Sequence, residues 1–188
     1  AKSKKLKSVI KKHSMKISVL INNYNYSDYI NDCLDSVEQQ SRPADEIIVV
    51  DDGSTDDSVE IIKQHPLNVN LISQSNQGQL KAFATAVERA TGDILCFLDS
   101  DDRWKSGYLK EIISTYNAPS RPDFVYVGLE KFGEATGPKR ICEFSKDTLM
   151  PMSRQVVLTR RLFLGAPTSG NTIRAHVAKD ILKVITPT

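Results

Sequence analysis

The chain contains 188 residues, of which 40% are hydrophobic and 26% are charged, and its formal net charge is +2. This length provides one well-buried core and excludes two domains of ordinary size. No run approaches the roughly 20 apolar residues of a membrane-spanning helix, so we predict a soluble or at most peripheral protein.

The positive charge is concentrated at the start of the chain, where six lysines and no acidic residue lie within the first twelve positions. Such a basic tail is commonly solvated, although it can also be attracted to anionic lipid headgroups. The three cysteines, Cys33, Cys96 and Cys142, are far apart and lack C-x-x-C spacing. This spacing argues against a disulfide framework and a zinc site. We therefore predict a cytoplasmic protein, with the tail as a candidate peripheral contact to the inner face of the membrane.

From Ile17 onward, short apolar runs alternate with segments of helical periodicity, which predicts four βα units around a mostly parallel sheet. The helix after the first strand is expected to begin with Ser27 or Asp28 as its N-cap. The helix before the fourth strand is expected to bury Leu80 and to have Gly92 as its C-cap. The predicted strands of the four units span residues 17–21, 47–50, 69–72 and 94–98.

The regular alternation ends after Pro119. A further strand is predicted over 124–127, and a helix over 173–185 follows a stretch that glycine and proline interrupt.

Two of the four predicted strands end in clustered carboxylates. The second strand leads into Asp51-Asp52-Gly53-Ser54, and the fourth leads into Asp99-Ser100-Asp101-Asp102. The first cluster is equally compatible with a turn followed by a helix N-cap. The second cluster is not explained in this way, because a cap needs one acid and this cluster has three.

Parallel strands have their carboxyl ends at one edge of the sheet, where ligands of α/β proteins bind. Both acidic clusters are therefore expected at this edge, together with polar residues that follow the first and third strands: Asn22, Asn23, Tyr24, Gln74 and Asn76. Crowded carboxylates repel one another unless a cation lies between them. Oxygen-only donors favour Mg²⁺ or Mn²⁺, and a phosphorylated ligand would accompany the metal, with Lys81 and Arg103 nearby.

The same strand ends lie within four ordered motifs, which are ISVLINNYNYSDYINDCLDSVEQQ, DEIIVVDDGSTDDSVEIIKQ, SQSNQG and TGDILCFLDSDDRW. In these motifs the chain resembles the family 2 inverting glycosyltransferases, enzymes of the Rossmann-like α/β GT-A fold that use nucleotide-sugar donors. A later GAPTSGN segment is also similar to the family. The resemblance covers residues 17–104 closely and 165–171 more weakly.

The resemblance implies a metal-dependent transfer of a hexose from a nucleotide-diphosphate sugar, expected to be a UDP-sugar, to an acceptor hydroxyl with inversion. It implies that Tyr24 stacks near the base and that Asp52 hydrogen-bonds the base edge. Asn22 and Lys81 are expected to contact the donor as well, although Asn22 departs from the residues common in the family.

The resemblance further implies that Asp99-Ser100-Asp101 is the DXD motif of the family, with Asp99 and Ser100 at the ribose. The metal ligands implied are Asp99, Asp101 and Asp102, with Mn²⁺ or Mg²⁺ as the cofactor.

The acceptor implied by the resemblance is a glycan or a lipid-linked sugar in polysaccharide biosynthesis, and no nucleic acid is expected as a partner. In this family the general base is an Asp or Glu beyond the segment that GAPTSGN resembles. We expect this base beyond Thr188, because Asp180 has the features of a surface acid. We thus divide the chain into a basic tail (1–15), a nucleotide-sugar-binding βα region (16–118) and the start of an acceptor-binding region (119–188), which we expect to be truncated.

Three other functions are compatible with parts of this pattern. A receiver domain also has paired aspartates at a strand end, but there the pair follows the first strand and not the second. A sugar-nucleotide pyrophosphorylase would have a glycine-rich basic loop after the first strand, where this chain has Asn-Asn-Tyr-Asn. A pseudoenzyme that binds a nucleotide sugar without turnover is the third alternative.

Overall fold

The computed structural model of the chain describes residues 14–132, 137–139 and 168–185. Six strands form one sheet in the order β3-β2-β1-β4-β8-β5, and β6 pairs with β7 in a separate hairpin. The strands are β1 (Ile17–Asn23), β2 (Glu46–Asp51), β3 (Asn70–Ser73), β4 (Ile94–Asp99), β5 (Phe124–Tyr126), β6 (Leu129–Lys131), β7 (Gly137–Lys139) and β8 (Asn171–Arg174). The four predicted parallel strands are thus present, each within two residues of its predicted bounds.

Helices cover both faces of the sheet. Three of them pack on one face around a core that includes Leu34, Ile62 and Leu109, and two pack on the opposite face around Ala86 and Val177. On the first face these are α1 (Ile30–Glu38), α2 (Ser58–Gln64) and α4 (Tyr108–Tyr116), and on the second face α3 (Gln79–Arg89) and α5 (Ala175–Ile185). Among the described helices, none combines the length and the apolar character needed to cross a membrane.

The strand order reverses at β1, and this reversal creates the crevice of the fold. β1 pairs in parallel with β2 on one side and with β4 on the other. The register sets Asn23 opposite Asp51 and Asn22 opposite Asp99. Since crossovers leave such a switch point in opposite directions, the carboxyl ends of these three strands line an open crevice.

Residues 171–174 form a strand, whereas the sequence predicted that a helix begins near Ile173. This strand, β8, lies between β4 and β5 and is antiparallel to both. Its backbone groups are hydrogen-bonded on both sides, which stabilises the extended conformation against the helix that follows. The helix α5 begins at Ala175.

The predicted N-cap of α1 is wrong. Neither Ser27 nor Asp28 caps the helix, whose N-cap residue is Tyr29, and that residue makes no side-chain capping bond. Ser27 and Asp28 lie instead in a preceding turn, in which the carbonyl oxygen of Tyr26 accepts the N–H groups of Tyr29 and Ile30.

Two expectations for α3 are also wrong. Leu80 is 61% exposed, because the buried stripe of the helix is centred on Ala82, Phe83, Ala86 and Val87 and leaves Leu80 toward solvent. The C-cap residue is Ala90 and not Gly92. Gly92 is instead a close-packing position, since a Cβ atom there would lie 2.6 Å from Ser18 Oγ.

Candidate functional site

The strand ends at the switch point present their side chains to the two faces of the sheet in alternation. Asn22 and Asp99 extend the apolar rows that pack on α3 and α5, whereas Asn23 and Asp51 extend the rows that pack on α1, α2 and α4. The polar residues predicted to form one site are thus separated into two groups.

Asp51 stabilises the turn after β2. It is 2% exposed, and its Oδ1 accepts hydrogen bonds from Asn23 Nδ2 at 2.8 Å and from Ser54 Oγ at 2.5 Å. Its Oδ2 accepts the Ser54 backbone N–H at 3.1 Å. The turn interpretation of the first acidic cluster therefore applies to Asp51.

Asp52 anchors the loop that leads into α3. Its carboxylate is 3% exposed and accepts hydrogen bonds from Gln74 Nε2 at 2.7 Å, from the Gln77 N–H at 3.0 Å and from the Gly78 N–H at 2.7 Å. A carboxylate near a helix N-terminus also interacts favourably with the helix dipole. The contact between Asp52 and a nucleotide base stays a prediction. A base bound there would contact a carboxylate that already accepts hydrogen bonds from the loop before α3.

The loop over residues 74–78 lies directly on the turn that contains Gly53. Gly53 has a φ of 81°, and a Cβ atom there would lie 2.8 Å from the backbone nitrogen of Asn76. Only glycine accommodates both this left-handed conformation and this approach. The first acidic motif therefore fixes where α3 begins.

The second acidic cluster is held by hydrogen bonds from α3 and from the segment before β8. Gln79 Nε2, at the first residue of α3, donates to Asp99 Oδ1 at 2.6 Å. The Ser169 hydroxyl accepts the Asp99 N–H at 3.0 Å and donates to Asp102 Oδ2 at 2.5 Å. The backbone N–H of Asp102 donates to the carbonyl oxygen of Asp99 at 3.0 Å. The aspartates at positions 99 and 102 are thereby held side by side.

The electrostatics of this cluster favour a cation. Burial, followed by the neighbouring charges of Asp102 and Asp101, raises the pKa of Asp99 to about 6. The negative charge of Asp101, followed by partial burial and the charge of Asp99, raises the pKa of Tyr26. The three aspartates therefore act on one another and on Tyr26 at short range, and a positive ion among them would relieve their repulsion.

Three buried oxygen atoms at these strand ends have no hydrogen-bond partner within the described part of the chain. They are the side-chain oxygens Asn22 Oδ1, Asn23 Oδ1 and Ser100 Oγ. A buried polar atom left unpaired costs about 1–3 kcal/mol. Such atoms at a strand-end crevice indicate a position for a ligand or a water molecule.

Exposed aromatic side chains follow β1. Tyr24, Tyr26 and Tyr29 are 44%, 37% and 51% exposed, and the last two rings meet edge to face at 6.0 Å. Lys81 is exposed in the first turn of α3. The positions of Tyr24 and Lys81 are compatible with the predicted donor contacts, which stay predictions.

Arg103, which the sequence predicted near the phosphorylated ligand, contacts α1 and the residue after β6. Its Nη1 donates to Asp32 Oδ2 at 3.1 Å, and its guanidinium lies 4.3 Å from the centre of the Phe132 ring. These contacts connect the acidic loop to α1 and to the residue after β6.

The sequence did not identify several residues that hold the acidic loop. Ser36 and Gln40 are buried polar residues at the end of α1; Ser36 Oγ accepts the Trp104 N–H at 3.2 Å, and Gln40 Nε2 donates to the Lys105 carbonyl at 2.9 Å. Trp104 Nε1 donates to the Ser169 carbonyl at 2.9 Å. Ser169 lies in the GAPTSGN segment, and Ser36 and Gln40 lie in the first motif that resembles the family, so the resemblance covers all three positions without indicating their hydrogen bonds.

A second group of ionisable side chains lies apart from this crevice, where Asp35, Glu38 and His65 approach within 4.8 Å. His65 Nδ1 accepts the Leu67 N–H at 3.1 Å, so the ring proton is on Nε2, which donates to Asp35 Oδ1 at 3.1 Å. A metal on Nε2 would require the proton on Nδ1, facing another N–H group. This group is therefore a structural contact between α1 and the residues after α2.

Comparison with known proteins identifies the family. The family description "Glycosyl transferase family 2" matches residues 18–182. This chain belongs to that family. The predicted resemblance is thereby confirmed.

An uncharacterized glycosyltransferase of Nostoc sp., alr2836, is 44% identical over 182 residues, which are 90% of this chain and 54% of that protein. TarS of S. aureus, solved for residues 1–349 in complex with UDP-GlcNAc, superimposes with a TM-score of 0.69 at 24% identity and covers 88% of this chain and 47% of that one. A mannosyltransferase from Pyrobaculum calidifontis in complex with GDP-Man and Mn²⁺ gives a TM-score of 0.58 at 23% identity, covering 90% and 52%.

The six-stranded sheet flanked by helices matches these two solved structures, so the predicted α/β fold of the GT-A type is confirmed. At such identities the likeness concerns the fold alone. The chain spans about half the length of the proteins it matches.

Proposed function

We propose that the chain forms the donor-binding part of an inverting glycosyltransferase that uses a nucleotide-diphosphate sugar and a divalent cation. The observation that carries this proposal is the crowding of three aspartates at the crevice, where burial, followed by the charges of Asp102 and Asp101, raises the pKa of Asp99 to about 6. A cation that carries a diphosphate would offset this concentration of negative charge. We propose UDP as the nucleotide, and the UDP-GlcNAc complex of TarS supports this choice.

Asp99, Asp101 and Asp102 are the residues proposed to hold the cation. Their donors are carboxylate oxygens, which suit Mn²⁺ or Mg²⁺. The Mn²⁺ complex of the Pyrobaculum mannosyltransferase supports a metal in this fold. When bound, the cation stabilises the negative charge of the departing nucleotide diphosphate.

The chain's own residues are proposed to orient the donor. Tyr24 offers an exposed ring on which the base can stack. Asn22 and Ser100 have buried oxygen atoms without partners and are proposed to accept or donate hydrogen bonds to the donor. Lys81 lies in the first turn of α3, where both its charge and the helix terminus favour a diphosphate. Asp52 is proposed to act at the base edge from its position beneath the loop.

Transfer with inversion requires a carboxylate that takes the proton of the acceptor hydroxyl as it attacks the anomeric carbon. We propose that this carboxylate lies beyond Thr188, since the relatives are about twice as long as this chain. The proposed acceptor is a glycan or a lipid-linked sugar. The donor part alone is then expected to bind donor without efficient transfer.

Isothermal titration of UDP with and without Mn²⁺ tests the proposal. We expect the unmodified chain to bind UDP at least tenfold more tightly with Mn²⁺, and Asp101→Asn to lose this difference. Asp57→Asn, which removes an exposed carboxylate at the N-cap of α2, is the matched control and should behave like the unmodified chain. UDP binding that is identical with and without Mn²⁺ would contradict the metal-dependent site. In the full-length protein, ¹H NMR of the product tests inversion, and donor binding without turnover would identify a pseudoenzyme.

The basic tail is proposed to contact the inner face of a membrane. Residues 1–13 lie outside the described residues, and the proposal depends on their lysines alone. Sedimentation with vesicles that contain anionic lipids should retain the chain at low salt and release it at high salt. Equal retention by neutral vesicles would contradict an electrostatic contact.

A further inference from the structure

Two neutral hydrogen-bond donors, Gln79 and Ser169, hold the carboxylates of the acidic cluster from opposite sides. We propose that they are positioning residues, which fix the carboxylates of Asp99 and Asp102, two of the residues proposed to hold the divalent cation. This inference deepens the proposed function and rests on it, since it names the groups that prepare the cation site. Neither residue contacts the cation in this proposal.

Gln79 is itself fixed from behind. Its side chain is exposed, yet its amide lies 2.6 Å from Asp99 Oδ1. The preceding residue, Gly78, donates its N–H to buried Asp52 at 2.7 Å, so the start of α3 is anchored to the turn after β2. A hydrogen bond to an ionised carboxylate is strong enough to offset the entropy lost in ordering a glutamine side chain. Asp52 thereby sets the position from which Gln79 reaches the second cluster.

Ser169 acts from the other side of the cluster. It is 1% exposed and precedes β8, the strand beside β4. Its hydroxyl proton is directed to Asp102 Oδ2 at 2.5 Å, because its oxygen accepts the Asp99 N–H at 3.0 Å. Trp104 fixes the Ser169 backbone through its indole N–H at 2.9 Å. The hydroxyl therefore lies between the two aspartates, closest to Asp102 Oδ2 and 3.5 Å from Asp99 Oδ2.

Both donors are neutral, so they leave the negative charge of the cluster in place for a cation. A lysine or arginine at either position would cancel part of the negative charge and compete with the metal. An amide and a hydroxyl orient the carboxylate oxygens and leave the charge in place. Groups that orient metal-binding side chains in this way typically change metal affinity by about 10–100-fold when they are removed.

The test measures Mn²⁺ binding to the chain by electron paramagnetic resonance of the free ion, and UDP binding without metal by titration calorimetry. Gln79→Met keeps the length of the side chain and removes its donor, and Ser169→Ala removes the hydroxyl. We expect each variant to bind Mn²⁺ about 10-fold to 100-fold more weakly, while the affinity for metal-free UDP changes less than twofold. The controls are Gln64→Ala and Ser114→Ala, two exposed helical positions that should bind Mn²⁺ like the unmodified chain.

Equal losses of Mn²⁺ and metal-free UDP affinity would overturn the proposal, because they would indicate general damage to the crevice. Unchanged Mn²⁺ affinity in Gln79→Met would also overturn it. Because Gln79 is exposed, its substitution is not expected to disturb the core, so this variant tests the proposal even if Ser169→Ala perturbs the fold. If Asp101→Asn still abolishes Mn²⁺ binding in that case, the proposed function stands without the positioning residues. Absence of Mn²⁺ binding in the unmodified chain would contradict both.

Discussion

The two acidic strand ends look alike in sequence, but their environments differ. The carboxylates of Asp51 and Asp52 are buried among donors from neighbouring turns and loops. In the second cluster, burial, followed by the charges of Asp102 and Asp101, raises the pKa of Asp99 to about 6, although Gln79 and Ser169 donate hydrogen bonds to Asp99 and Asp102. Since neutral donors engage both clusters, the closeness of further acids, and not the kind of donor, distinguishes the second strand end.

The largest effect on stability is expected for a carboxylate that accepts several hydrogen bonds within the protein. Asp52→Ala leaves two backbone N–H groups and the Gln74 amide without their acceptor. We expect the free energy of unfolding to fall by about 3 kcal/mol, since each buried donor left unpaired costs about 1–3 kcal/mol. Urea denaturation measures the change. An effect below about 1 kcal/mol would show that the loop is not anchored by this residue.

A somewhat smaller loss is expected for Gly53→Ala, which tests the same anchor from the opposite side. The methyl group would lie 2.8 Å from Asn76 N on a backbone with positive φ. We expect a loss of about 2 kcal/mol. Thermal unfolding monitored by circular dichroism measures this change, and Gly107→Ala is the control, because a Cβ atom there would make only an ordinary van der Waals contact with Glu111 Oε1 at 3.7 Å. Equal stability of the two variants would contradict the close approach.

In the second cluster the affinity for Mn²⁺ is expected to depend on pH. Asp99 binds a proton as the pH falls through about 6, and protonation removes a charge that the metal requires. We expect Mn²⁺ affinity to be constant above pH 7 and to fall up to about tenfold for each pH unit below 6. Titrations between pH 5 and 8 measure it. A transition near pH 4 would contradict the raised pKa of Asp99.

The smallest expected effect has the opposite sign from that of Asp52→Ala. The pKa of Asp99 is raised above its ordinary value of 3.8, so its ionisation destabilises the fold in the absence of metal. This cost is absent below about pH 4 and complete above about pH 7. Asp99→Asn should therefore stabilise the metal-free chain at pH 7.5 by about 1 kcal/mol, allowing for partial exposure of the group. Equal melting temperatures of Asp99→Asn and the unmodified chain at pH 7.5 would contradict the destabilising effect of the Asp99 charge.

The strand ends were predictable from sequence because the apolar runs and the parallel-sheet rule together fix which residues meet at one edge. The hydrogen-bond partners of each aspartate were not predictable in the same way. Asp51 and Asp52 are adjacent in sequence but bond to different partners, and Asp52 finds its donors more than 20 residues away. The sequence predicted a buried Leu80, but alanines of α3 pack on the sheet in its place. Alanine contributes little to a hydrophobic periodicity, so the pattern did not indicate this stripe.

The strand β8 was missed for a related reason. Asn171–Arg174 is short, polar at three of its four positions and continuous with a helix, so its extended conformation depends on the edges of β4 and β5 and not on its own residues. Ser36 and Gln40 were missed because their polar side chains are buried only by a distant loop.

The position of β8 has a consequence for how the chain can be divided. The strand that closes the exposed side of β4 comes from more than 70 residues later in the sequence. A protein cut after α4 would retain every residue predicted to bind the nucleotide sugar. It would, however, present β4 as an open edge, with unpaired N–H and C=O groups available to other chains. Such a fragment is expected to aggregate. The shortest autonomous unit is therefore set by the last strand to join the sheet and not by the last residue of the crevice.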